Sequence, residues 1–170
     1  VAVYTALMIL PLFGTLAQSL FNEDAAGTRV FVGLANFTRL FGEALWSDAF
    51  WNALGNNFWF FVIHMIVQNP IGIALAALLS SPKLRMAAFY RTAIFIPTIL
   101  SFVIVGFVWK LILSPIWGIA PGMLDAVGLK FLFAPWLGKE EYALTALALV
   151  SVWQFVGIPM MLIYAALLGI

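Results

Sequence analysis

The sequence has no cysteine, a single histidine and few charges: of its 170 residues, only 9% are Asp, Glu, Lys or Arg. Without cysteine there is no disulfide framework, no thiolate nucleophile and no cysteine-ligated metal. His64 has no second His and no acid at ligand spacing within the apolar runs, so it does not announce a metal site. No stretch matches G-x-x-x-x-G-K-[ST], the loop and lysine that cradle nucleotide phosphates, so ATP hydrolysis is not expected of this chain. The net charge of +1 implies no nucleic-acid surface. Soluble domains carry about 25% charged residues. Here hydrophobic residues reach 65% and the mean hydropathy is +1.09, which places the chain in a membrane. It begins at Val1 rather than Met, so the natural start is expected to lie upstream.

Four apolar runs are long enough to cross a hydrocarbon core of about 30 Å, which takes roughly 20 helical residues. They cover Val1 to about Phe21, about Phe50 to Leu79, about Thr92 to Leu113, and about Ala143 to Ile170. The expected fold class is all-α integral membrane with four transmembrane helices. Helices are read rather than strands because the runs lack the two-residue alternation of a barrel, and a bilayer demands backbone groups satisfied within the segment. Pro11, Pro70 and Pro159 each remove a donor and free the carbonyl four residues back, so kinks are expected there. The first run lacks the basic start of a signal peptide.

Charge placement gives the expected topology. The connector SSPKLRMAAFYR, Ser80 to Arg91, holds Lys83, Arg85 and Arg91 with no acid, and short basic loops stay cytoplasmic. The connectors from Asn22 to Asp48 and from Ser114 to Tyr142 are net acidic and belong outside. Both ends, Val1 and Ile170, then fall on the cytoplasmic face. Lys110 is expected to snorkel outward beside Trp109. In GLANFTRLFGEAL, apolar residues recur at three and four, which predicts a short interfacial helix on the outer surface with Asn36 as its N-cap. Ser47 and Asp48 are expected to cap the second span. The later outer connector reads as turns and a reentry anchored by Trp136.

Polar residues inside the spans are the candidate sites, because they are expensive in hydrocarbon and turn toward protein or a water-filled path. Asn57, His64, Gln68 and Gly72 are spaced by seven, four and four, which puts the three polar ones within roughly 40° on one helix face. That face either lines a polar path able to hydrogen-bond hydroxyl groups or packs against another helix, where Gly72 permits close approach. Asn69, before Pro70, is expected to repair the kinked backbone. On the fourth span Trp153, Gly157, Met160 and Tyr164 form a second stripe with Gln154 beside it. A tryptophan can stack on the apolar face of a ring and an amide can bind hydroxyls, so Trp153 and Gln154 join the path candidates; packing between helices is the alternative. Tyr164 reads as an interfacial anchor.

The order FVGLANFTRLF, the pair Asn56 and Asn57, KLRMAAFYRTAIFIP, Trp109, PWL (Pro135 to Leu137) and SVWQFVG (Ser151 to Gly157) resembles the carbohydrate-uptake permeases of bacterial ABC importers, the maltose and glycerol-3-phosphate type. The resemblance covers nearly the whole chain. It implies a permease subunit in the bacterial inner membrane that works beside a second permease subunit, receives solute from an external binding protein, and is driven by a cytoplasmic ATPase pair. ATP is then bound by the partner and no cofactor is expected on this chain. Residues 1–48 would form the first helix and outer connector, and 49–170 part of the ABC transmembrane type 1 domain. The family's cytoplasmic EAA loop would follow the fourth span beyond Ile170, so the sequence is expected to be the amino-terminal part of a longer chain. Arg91 stands where the family places an arginine before the third span, either obeying the inside rule or also meeting a neighbouring subunit. Lys83 and Arg85 mark the same side.

Other classes fit less well. A membrane-embedded enzyme would need an acidic pair, a metal cluster or a nucleophile with its base, and the spans carry none, so no catalytic residue is assigned. A secondary transporter would show an intramembrane acid or inverted repeats. A non-sugar ABC permease remains open, and the sequence does not name the solute.

Overall fold

A computed structural model describes residues 2–24 and 27–169 of the chain. The expected placement of Val1 and Ile170 therefore lies outside the described residues. Contacts divide the chain into two compact units, Val1–Gly55 and Asn56–Ile170.

In the first unit, helix α1 (residues 2–18) contains a π-helical stretch, Thr5–Ile9, and continues as Leu10–Gln18. The expected kink at Pro11 is taken up there: the Leu10 N–H reaches back five residues to the Thr5 carbonyl, directly before the proline. The apolar helix Thr5–Gln18 is shorter than a full crossing. A hairpin that sequence patterning does not predict follows. Strand β1 (Phe21–Glu23) pairs antiparallel with β2 (Arg29–Phe31), setting Phe21 against Phe31 and Glu23 against Arg29. The two phenylalanine rings meet edge to face at 5.3 Å. Helix α2 (Ala35–Gly42) forms where the interfacial helix is expected. Asn36 is not its cap, however. Leu34 holds that position, and the Asn36 amide instead donates to the Ser19 and Phe21 carbonyls at 2.9 and 3.0 Å, tying α2 to the end of α1.

Helix α3 (Ala44–Leu79) starts six residues before the expected second span, so Ser47 and Asp48 lie inside its first turns and do not cap it. Pro70 does not break this helix. A π-helical turn, His64–Gln68, precedes it, with the Asn69 N–H reaching the His64 carbonyl. The Asn69 side chain approaches the Met65 sulfur at 3.3 Å rather than repairing backbone.

The third span is where expectation and structure part most. Helix α4 (Ala87–Phe95) passes into a 3-10 turn, Ile96–Ile99, and then helix α5 (Phe102–Ile112) leaves at 99°. The physical reason is Pro97, which offers no N–H, together with Ser101. Leu100 and Ser101 are extended, and the Ser101 hydroxyl accepts the Val103 N–H, capping a new helix. The connector between α5 and the final helices carries a short helix, α6 (Ala120–Ala126), where only turns are expected. Finally α7 (Glu140–Phe155) and α8 (Gly157–Leu168) follow one another across Val156 as one apolar length, Glu140–Leu168. Among the described residues, two helices, α3 and α7–α8, are thus long and apolar enough to cross a membrane, and α4–α5 makes a third, bent candidate. In the second unit α3 packs on α7–α8 through two small cores, Ile63 with Ala148 and Val152, and Ala76 with Leu79 and Met160.

Candidate functional site

The polar face of α3 meets the α7–α8 pair at a proline. Pro159 has no N–H to give to the carbonyl four residues earlier, which is that of Phe155. Gln68 supplies the missing donor: its Nε2 donates to the Phe155 oxygen at 3.1 Å. One turn on, Gly72 takes the proline ring itself. A Cβ at that position would stand 3.1 Å from the Pro159 Cγ and 3.2 Å from the Met160 nitrogen. Gln68 and Gly72 together repair and seat one helix interruption. The second amide atom, Gln68 Oε1, is buried without a partner.

One turn in the other direction, His64 completes the seam. Its Nδ1 lies 2.8 Å from the Phe60 carbonyl, which can only accept, so Nδ1 carries the proton. In the neutral ring Nε2 then accepts from the Ser151 hydroxyl at 3.1 Å. The imidazole also stacks on Phe60 at 4.4 Å. Nearer the start of α3, the Trp59 indole donates to the Thr145 hydroxyl at 3.1 Å. The candidates His64 and Gln68 are thus both committed to α7 across a helix interface.

Gln154 serves the other interruption. It is 2% exposed, and its Nε2 donates to the Leu100 carbonyl at 3.0 Å, at the bend between α4 and α5. In return the Thr98 hydroxyl donates to the Gln154 carbonyl at 3.0 Å. Gly157 completes this clamp, since a Cβ there would stand 3.1 Å from both the Ile94 oxygen and the Phe95 Cα. Both glutamines, Gln68 half-buried and Gln154 buried, therefore hold backbone carbonyls that broken helices leave short of donors. The sequence shows the prolines that free carbonyls; it does not show which amide reaches them.

Two candidates are exposed. Asn57 is exposed on α3. Trp153 is 42% exposed and meets Trp109 edge to face at 5.4 Å. Met160, in the same stripe, is fully buried, and Tyr164 is half-buried. A cavity of about 360 Å³ opens at Trp109, with Trp136, Tyr142, Thr145 and Leu149 in its wall. Sequence reading assigns Trp136 an anchoring role only and passes over Tyr142 and Thr145. The aromatic spacing of this connector is the one signal that bore on them.

On the basic connector, Lys83 and Arg85 are exposed, and Arg91 lies with its guanidinium 4.4 Å over the Tyr164 ring. That cation–π contact joins the connector to α8. Among the described residues no group of three His, Cys, Asp or Glu is placed to hold a metal ion.

No family model matches the chain. Its sequence is 32% identical over 162 residues to the probable ABC transporter permease protein YurN of Bacillus subtilis, covering 94% of this chain and 54% of that protein. It is 30% identical over 171 residues to the lactose transport system permease protein LacF of Rhizobium radiobacter, covering 100% and 55%. It is 30% identical over 170 residues to the osmoprotective compounds uptake permease protein GgtC of Synechocystis, covering 98% and 58%. The chain spans about half the length of these relatives, each of which is named as a permease. Its fold is similar to that of a solved bacterial ABC transporter involved in the import of the acidic polysaccharide alginate. The TM-score is 0.73 at 20% identity, over 98% of this chain and 54% of that one. A second structure, of a bacterial alginate ABC transporter in complex with an alginate pentasaccharide-bound periplasmic protein, matches with the same TM-score at 19% identity.

Proposed function

We propose that the chain is part of a permease subunit of an ABC importer and forms part of the path by which a sugar or sugar-like solute crosses a bacterial cytoplasmic membrane. The observation that carries this reading is the alignment of sugar-permease relatives along the chain from end to end, LacF among them. On this reading an external binding protein delivers the solute and a second permease subunit completes the path. ATP is bound and hydrolysed by separate cytoplasmic subunits, so this chain needs no cofactor. The chain crosses four times, with α1 and the bent α4–α5 pair each counting as one crossing and the connector 80–91 on the cytoplasmic side.

Within the path, Trp153 and Asn57 are the residues that meet solute. A tryptophan held edge-on by Trp109 presents an apolar face of the kind on which a sugar ring stacks. His64, Gln68 and Gln154 act one step back, holding α3, α7 and the bend in fixed register so that Trp153 stays in place. A second reading, uptake of an osmoprotective compound, is favoured by the likeness to GgtC.

The absence of native cysteine provides the test. Trp153→Cys in an otherwise cysteine-free full-length permease should react with a small water-soluble thiol reagent, and the transported solute should slow that reaction. A cysteine at 153 that reacts only with lipid-soluble reagents, or is unaffected by solute, removes Trp153 from the path.

A further inference from the structure

A groove of about 450 Å³ lies where α3 ends and the basic connector begins. Its walls are apolar, built from Leu75, Leu78 and Ile94, and its rim carries Ser81, Lys83 and Tyr90. The rim is a formed structure. The Ser80 hydroxyl donates to the Ala77 carbonyl at 2.9 Å, the Leu84 N–H closes a turn on Ser81 at 3.1 Å, and Met86 adopts a left-handed backbone (φ 64°), unique among the described non-glycine residues.

Among the described residues, the charge at this rim meets no carboxylate. The sequence has no Asp or Glu between Asp48 and Asp125, and none in the Gly157–Leu168 helix. The helices flanking the groove therefore offer Lys83 and Arg85 no carboxylate, and the described ion pairs all lie in other connectors. Arg91 has only the Tyr164 ring face. Around these bases Leu84, Met86 and Phe89 expose apolar side chains. An acidic protein surface would match the charges and leave the groove below them unused. An amphiphile with an anionic head and a hydrocarbon tail matches both.

We infer that this groove binds an anionic phospholipid, its phosphate on Lys83 at the rim, with the exposed Arg85 two residues along the connector adding to the attraction, and an acyl chain along Leu75, Leu78 and Ile94. Basic pockets between membrane helices are suited to such headgroups. The inference rests on the reading of the chain as a membrane subunit and not on the solute it carries, so its test reads lipid binding rather than transport.

The experiment uses the full-length permease in phosphatidylcholine nanodiscs, with trace spin-labelled phosphatidylglycerol or phosphatidylcholine as probe. Motion-restricted signal should favour phosphatidylglycerol, and the preference should shrink at high salt. Lys83→Gln and Arg85→Gln should each cut it about fivefold, while Lys83→Arg keeps it. Equal restriction of the two probes by the unsubstituted protein overturns the inference, as does a preference that survives both glutamine substitutions. A variant-independent measurement guards against misfolding: a lone cysteine replacing Leu78 should react with a lipid-dissolved maleimide in the assembled transporter. Shielding of that cysteine by protein, whether the ATPase or another part of the permease, overturns it equally.

Discussion

If Gln68 exists to satisfy the carbonyl that Pro159 strands, its value must depend on the proline. Gln68→Met keeps the side chain's length and removes the amide. Two effects then oppose each other. The Phe155 oxygen loses its 3.1 Å donor, and because residue 159 has no N–H, nothing in its own helix replaces it. Leaving such a group unpaired costs about 1–3 kcal/mol. Yet the substitution also removes the buried, unpartnered Oε1, whose desolvation penalty has a similar size. The single variant therefore shifts stability little, by less than about 1 kcal/mol in either direction. Pro159→Ala separates the two effects. Val156 keeps helical dihedrals (φ −60°, ψ −25°), so an alanine N–H at position 159 can reach the Phe155 oxygen. With that oxygen satisfied, Gln68→Met retains only the gain. The double-mutant cycle should give a coupling of about 1 kcal/mol, with Gln68→Met neutral or stabilising in the Pro159→Ala background and less favourable beside the native proline. Denaturant unfolding of the full-length permease in detergent, followed by tryptophan fluorescence, measures all four corners. Additivity within about 0.3 kcal/mol would refute the repair argument.

Gly157→Ala places a methyl 3.1 Å from the backbone of Ile94 and Phe95, which cannot swing aside, so unfolding assays should find it destabilised by about 1–3 kcal/mol; a neutral result would mean that the bend is free to move. Ser151→Ala removes the donor to His64 Nε2 and should cost about 0.5–1.5 kcal/mol without changing solute affinity, measured by unfolding and by uptake KM side by side. A changed KM would move His64 from the helix seam into the path. Arg91→Gln removes the cation over Tyr164, worth about 0.5–2 kcal/mol, and unimpaired coupling of ATP hydrolysis to uptake would leave Arg91 with orientation and packing alone.

How far the sequence could be read depended on whether each feature is local. Hydropathy locates every long helix, and the arithmetic of a missing donor four residues before Pro159 names the stranded Phe155 carbonyl correctly. What supplies the donor lies 87 residues away in sequence, and no periodicity points to it. The shared face of His64, Gln68 and Gly72 is visible from spacing, but spacing alone leaves path and packing open; geometry places all three against α7–α8. The bend in the third span was hidden because an apolar run masks its punctuation: Pro97 and Ser101 form a stop and a start only four residues apart. Local rules erred in the other direction at Asn36, Ser47 and Asp48, each a plausible cap by residue type. Asn36 found better partners in the Ser19 and Phe21 carbonyls, and helix α3 simply begins earlier. The hairpin of residues 21–31 escaped because its strands are three residues each, too short for alternation to register.

The central claim is that this chain belongs to a solute importer driven by a separate ATPase. Its most direct test is uptake of radiolabelled sugars by proteoliposomes holding the full-length permease, its permease partner and the ATPase subunits, with the binding protein outside and ATP inside. The account predicts accumulation that requires both ATP and binding protein, and that disappears when this subunit is left out. Uptake that proceeds without ATP, driven by an ion gradient, would contradict it.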